Sequence, residues 1–145
     1  MSRIGVIRFP GSNCETESVA AIERAGGRAA VIDYRETSLA NLDGVILPGG
    51  FSYGDYLRSG AIARFAPVMP AVELLARDGG AVIGICNGFQ ILCEAGLLPG
   101  ALQRNAQQRF ASRPVDVRIE RTDPVCTSDY TAGDVLRLTL APGAG

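Results

Sequence analysis

The sequence predicts an α/β fold: a doubly wound, mostly parallel sheet with helices on both faces. Three observations carry this. Up to Gly100, short apolar runs alternate with stretches of helical periodicity, separated by Gly-Gly and Pro-Gly turns. The strand-length runs are nearly continuous in apolar residues, as buried parallel strands are. Beyond Gly100 the pattern changes: Val115, Val117 and Ile119 alternate with polar residues, and Val135, Leu136 and Leu138 do so more loosely. These predict antiparallel strands added at one edge of the sheet near the C-terminus.

In chain order, residues 4–9 (Ile-Gly-Val-Ile-Arg-Phe) form the first strand, broken by Pro10-Gly11-Ser12-Asn13-Cys14. Ser12 and Glu15 have capping-box spacing, and Val19, Ile22 and Ala25 mark a helix that stops at Gly26-Gly27. Residues 29–33 and 44–47 are the next two strands, joined by a polar connector over 36–43. The loop 48–56 is dense in glycine and aromatics. Phe65, Val68, Met69, Val72 and Leu75 then share one helical face, with Pro67 and Pro70 suited to a first turn or a kink. Gly79-Gly80 leads into a strand over 81–85. Phe89, Leu92 and Cys93 take up helical spacing that Gly96 ends.

A chain of 145 residues with 47% hydrophobic and 20% charged residues is expected to be one globular domain over 1–145. The net charge of −1 gives no reason to expect a nucleic-acid partner. Arg104, Arg109, Arg113, Arg118 and Arg121 are dispersed among acids and apolars and read as solvated surface or subunit contacts. No apolar run approaches the length of a membrane span, and Met-Ser-Arg-Ile-Gly is not a signal peptide. Cys14, Cys86, Cys93 and Cys126 lack Cys-x-x-Cys spacing, so reduced thiols in a cytoplasm are expected, with no metal site. The chain has no histidine, which excludes a Ser-His-Asp or Cys-His pair assembled from its own residues.

The chemistry centres on residues 81–90, Ala-Val-Ile-Gly-Ile-Cys-Asn-Gly-Phe-Gln. A strand, a sharp turn carrying Cys86 and then a helix make a nucleophile elbow with cysteine in place of serine. Gly84 and Gly88 let the helix lie close on its own strand. Cys86 then stands at a helix N-terminus, where unpaired N–H groups favour negative charge. A buried cysteine in an ordinary βα turn is the alternative. Attack on an amide carbonyl needs donors for the oxyanion. One is expected from the N–H of Asn87 and another from the bare backbone of Gly49-Gly50; by itself, Pro48-Gly49-Gly50 is an ordinary tight turn.

Leu47-Pro48-Gly49-Gly50-Phe51-Ser52-Tyr53-Gly54-Asp55, taken with Gly84-Ile85-Cys86-Asn87-Gly88-Phe89-Gln90, resembles the class I, triad-type glutamine amidotransferases of flavodoxin-like fold. Residues 10–14, 55–61 and 96–100 narrow the resemblance to the glutaminase subunits of phosphoribosylformylglycinamidine synthases, in purine biosynthesis. It implies that Cys86 attacks the side-chain amide of glutamine to give a thioester and ammonia. Gly50 and Asn87 would supply the oxyanion hole, and Gly49, Phe51 and Gln90 would contact glutamine. Ammonia would pass to a large synthetase partner, with ATP and Mg there and no cofactor in this chain, and a small third subunit would join the complex. The resemblance also implies a histidine and a glutamate from a His-Pro-Glu stretch near the C-terminus, which this chain lacks. Pro142 and Ala144 stand where an earlier His-x-Glu is usual. The expectation is a chain without the family's C-terminal part, inactive alone, with exposed apolar surface. Two other functions stay open: a synthetase-binding module without turnover, and a DJ-1-like cysteine-elbow protein.

Overall fold

The computed structural model describes residues 1–145. Its elements are β1 (Arg3–Arg8), α1 (Glu15–Arg24), β2 (Arg28–Asp33), β3 (Gly44–Leu47), α2 (Met69–Arg77), β4 (Ala81–Gly84), α3 (Asn87–Glu94), β5 (Arg113–Arg118) and β6 (Val135–Leu140). The chain divides into two compact units, Met1–Leu102 and Gln103–Gly145.

In the first unit four strands pair in parallel in the order β2-β1-β3-β4. The chain steps from β1 to β2 in one direction and from β3 to β4 in the other. Right-handed crossovers therefore put α1 and α2 on opposite faces, as the doubly wound expectation requires. One face is packed by Ile7, Phe9, Val45 and Leu47 against Val68, Met69 and Val72 of the α2 region and Ile91 and Leu92 of α3. All three loops that follow β1, β3 and β4 leave from the carboxyl ends of parallel strands, where sites form in such sheets.

Two local expectations fail for identifiable reasons. Ser12 does not cap α1: its Oγ accepts the Phe9 N–H at 3.2 Å, closing the turn after β1, and Cys14 holds the N-cap position with no side-chain capping bond. Phe65 is 75% exposed rather than part of the helix face. The chain makes a short 3₁₀ turn over Ala63–Phe65, and Ala66, preceding Pro67, is extended at ψ 146°. A proline disfavours the helical region at the residue before it, so the periodicity restarts only at α2.

The second unit holds β5 and β6, paired antiparallel from Arg113↔Leu140 to Arg118↔Val135. Their ladder is the expected pair of antiparallel strands, and it forms a two-stranded sheet of its own. Ile119 is this unit's buried apolar residue, while Phe110, Val125, Val135 and Leu138 are exposed. A lone two-stranded ribbon is marginally stable in water.

Glycines differ sharply in what they permit. A Cβ on Gly88 would land on the Leu47 carbonyl oxygen, whereas one on Gly26, at φ +84°, would meet nothing within 4 Å. Gly88→Ala should therefore cost more than about 4 kcal/mol, and Gly26→Ala only about 1–2 kcal/mol from its backbone conformation. Urea melts followed by circular dichroism check this; equal losses would show that the contact at Leu47 relaxes freely.

Candidate functional site

β4 ends at Gly84, and Ile85 still donates its N–H to the Leu47 carbonyl at 3.0 Å. Cys86 then turns the chain with φ +53° and ψ −108°, and α3 begins at Asn87. A non-glycine residue in this conformation stores strain, which the surrounding packing must hold. The glycines make the turn possible. A Cβ on Gly84 would sit 2.6 Å from the Phe89 nitrogen, and one on Gly88 would overlap β3. The Cys86 thiol is exposed at the helix N-cap. This is the elbow that the sequence predicts.

The glycine-rich loop after β3 is fastened to the loop after β1. Asn13 N–H donates to Gly49 O at 3.3 Å, Phe51 N–H to Gly11 O at 2.9 Å and Tyr53 N–H to Pro10 O at 2.6 Å. Gly50 lies at φ +140°, and a Cβ there would stand 2.8 Å from both Gly11 O and the Ser12 Cα. Glycine is required at this position for folding, before any chemistry. The Phe51 N–H is already spent, and its ring is exposed. The N–H groups of Gly50 and Asn87 have no acceptor within the chain. Gly49 lies between the other loops: a Cβ on it would be 3.5 Å from both Cys14 Sγ and Cys86 Cβ.

A third connection was not legible in the sequence. The Asn87 side chain is 1% exposed. Its Oδ1 accepts the Ser52 N–H at 3.0 Å, and its Nδ2 donates to Asp55 Oδ1 at 3.2 Å and Gln90 Oε1 at 3.1 Å. One carboxamide thus ties the start of α3 to the loop after β3 and to the buried Gln90. Burial pushes the Asp55 carboxyl up, while hydrogen bonds from Ser59 and Asn87 pull it back. Ser52 Oγ is buried beside this network without a partner. Tyr53, Asp55 and Leu57 all have positive φ, at 52°, 55° and 67°. The signal in the sequence was a polar residue directly after the nucleophile with Ser52 and Asp55 in the facing loop, but spacing alone does not show that they touch.

The remaining candidates fall into place around this. Arg58 donates from Nε and Nη2, one edge of its guanidinium, to the two Glu94 carboxylate oxygens at 2.6 and 2.7 Å, and holds that carboxyl below its usual range. Cys93 is half-buried, with burial pushing its thiol up, and Cys126 is exposed in the second unit. The arginines at 118 and 121 pair with Glu120 and Asp123.

The site is an exposed cysteine on a strained strand–helix turn, beside a glycine loop that leaves the Gly50 N–H unpaired. Residues 1–145 match the CobB/CobQ-like glutamine amidotransferase domain, and the chain belongs to that family. It is 54% identical over 143 residues to the phosphoribosylformylglycinamidine synthase subunit PurQ of Rubrobacter xylanophilus, covering 99% of this chain and 65% of that one. It is 53% identical to the subunit of the same name from Thermus thermophilus, over 99% and 63%. The solved structure of PurLQS from Thermotoga maritima superimposes with a TM-score of 0.93 at 39% identity, covering 99% of this chain and 68% of that one. The chain therefore spans just under two-thirds of the length of these curated relatives.

Replacing Asn87 by alanine strands the Ser52 N–H and removes a donor from Asp55, and should cost about 3 kcal/mol. The loss should depend on pH. Asp55 titrates above the usual carboxylate range, so its protonated form is the one the fold favours, and that contribution fades as pH rises through the raised value. The ionised form is the one that needs the Asn87 donor, so Asn87→Ala should be more damaging at about pH 7 than at about pH 4. Urea melts at the two pH values decide it; an equal loss at both would show that Asp55 draws nothing from Asn87.

Among the four thiols, Cys86 should be alkylated first by limiting iodoacetamide, since it combines exposure with a helix N-terminus. Peptide mapping by mass spectrometry reads the order, and faster labelling of Cys14 or Cys126 would contradict it.

Proposed function

We propose that this chain is a glutaminase component of a phosphoribosylformylglycinamidine synthase in purine biosynthesis. The observation that carries the proposal is the exposed Cys86 on its strained turn beside the glycine loop, with Gly49 against the Cys86 side chain and the N–H groups of Gly50 and Asn87 unpaired. The Cys86 sulfur attacks the side-chain carbonyl carbon of glutamine, and the oxygen that gains charge is met by those two N–H groups. Collapse expels ammonia and leaves a glutamyl thioester, which water then cleaves. Gly49, Phe51 and Gln90 surround the glutamine; Gln90 does so from a buried position fixed by Asn87.

The names of the relatives support the rest of the proposal. Ammonia passes to a large synthetase subunit that uses ATP with Mg to amidate formylglycinamide ribonucleotide, and a third, small subunit completes the complex. The chain works in the cytoplasm; no helix of the structure is long and apolar enough to cross a membrane.

Proton transfer sets the limit. Thiol attack needs a base, and departing ammonia needs an acid. The chain contains no histidine to serve as either. That observation favours a second reading, in which these 145 residues bind the synthetase without turning over glutamine. The two are separated by measuring ammonia release from glutamine by the chain, with and without the synthetase and small subunit, beside a full-length relative. Negligible turnover is expected from the chain, with activity appearing when the C-terminal His-Pro-Glu segment that the resemblance implies is supplied, and lost again on Cys86→Ala. Turnover by the chain within about tenfold of the relative, abolished by Cys86→Ala, would show that another group carries the protons. Activity in the extended chain that survives Cys86→Ala would overturn the proposal altogether.

A further inference from the structure

Cys14 and Cys86 are the N-cap residues of α1 and α3, two helices that begin at the carboxyl ends of strands in the same parallel sheet. A Cβ on Gly49 would stand 3.5 Å from the Cys14 sulfur and 3.5 Å from the Cys86 Cβ. The sulfur of one cysteine and the Cβ of the other are thus no further apart than twice that distance, and Gly49 borders both. Their surroundings differ in a useful way. Cys86 is exposed. Cys14 is half-buried, and its thiol donates to Asn13 Oδ1 at 3.1 Å. Burial pushes the Cys14 thiol up, followed by the charges of Glu17, Cys86 and Glu15, so the two sulfurs also interact electrostatically.

We propose that Cys14 and Cys86 form a redox pair, in which a hydroperoxide oxidises Cys86 and Cys14 then closes a disulfide on it beside Gly49. In the first step the Cys86 thiolate attacks a peroxide oxygen. The O–O bond breaks, water leaves, and Cys86 becomes a sulfenic acid. In the second, the Cys14 thiolate attacks the Cys86 sulfur. The S–S bond forms, the S–O bond breaks, and a second water leaves. The balance is two thiols and one hydrogen peroxide giving one disulfide and two waters. The disulfide masks the nucleophile in a form that a thiol reductant reverses, and it diverts Cys86 from the irreversible sulfinic acid. Closure needs the sulfurs about 2 Å apart, so both side chains must turn toward each other beside Gly49, where an added side chain would crowd them. Cys93, in the last turn of α3, is not among the nearest contacts of Gly49. The inference is independent of which amide Cys86 attacks, because it rests on the thiols alone.

The test is to titrate the folded chain with hydrogen peroxide, block free thiols and map the peptides by mass spectrometry under non-reducing conditions. A Cys14–Cys86 linked peptide is expected, with Cys93 and Cys126 still alkylated, and dithiothreitol should restore Cys86 labelling. In Cys14→Ser the link is lost, and Cys86 should reach the sulfinic acid at least about tenfold faster. Gly49→Ala adds a methyl at ordinary van der Waals distance from its neighbours. It should fold, and should slow linkage by at least about tenfold by crowding both cysteine side chains. The same titration in urea should scatter the pairing over all four cysteines. The proposal is overturned if Cys86 reaches the sulfinic acid equally fast with and without Cys14. It is also overturned if linkage in the folded chain is as unselective as in urea, or if Gly49→Ala links at the wild-type rate.

Discussion

The site depends on one close approach, that of the α3 backbone to the carbonyl of Leu47. Two things meet this oxygen: the Ile85 N–H, which continues the β3–β4 ladder, and the bare Cα of Gly88, one turn later. With a side chain at either Gly84 or Gly88, the helix would have to tilt away from the sheet. Cys86 would then lose its strained conformation and Asn87 its reach to the facing loop. The position of Cys86 is therefore set by what two residues lack.

The strain that this creates is confined and balanced. Positive φ at Tyr53, Asp55, Leu57 and Cys86 is concentrated on two facing segments, and the Asn87 carboxamide lies between them. Its bonds to Ser52 N–H and Asp55 fix the loop after β3 on one side, and three backbone bonds to the loop after β1 fix it on the other. A loop held in this way keeps the Gly50 N–H oriented without spending it on an internal bond. Preorganised donors of this kind stabilise developing charge at little reorganisation cost. Below, the apolar face of Ile7, Val45 and Leu47 against Met69, Val72 and Ile91 anchors all three loops to one rigid sheet.

Most of the fold was legible because it rests on local rules. Strand runs, glycine-terminated helices and the strand–turn–helix around Cys86 each follow from a few consecutive residues. The failures have a common cause, a local signal outcompeted by a neighbour. Ser12 had capping spacing but closes the preceding turn. Phe65 had helical spacing, but Pro67 made the residue before it extended. Val115, Val117, Leu136 and Leu138, by contrast, were recognised as strand residues and pair with each other as antiparallel strands, although alternation by itself does not say which strand will pair with which.

The sequence by itself determined the sheet type, the strand–turn–helix elbow with Cys86 at its turn, and the glycines that admit it, since each depends on backbone sterics over a few residues. It also determined the absence of histidine, a matter of composition. Only the tertiary structure decided what the polar groups around Cys86 do. Asn87, Ser52 and Asp55 are 35 and 32 residues apart along the chain at their hydrogen bonds, and Cys14 reaches the site from the loop after a different strand. Hydrogen bonds and thiol chemistry act over a few ångströms, and no pattern along the chain measures that distance until β1, β3 and β4 lie side by side.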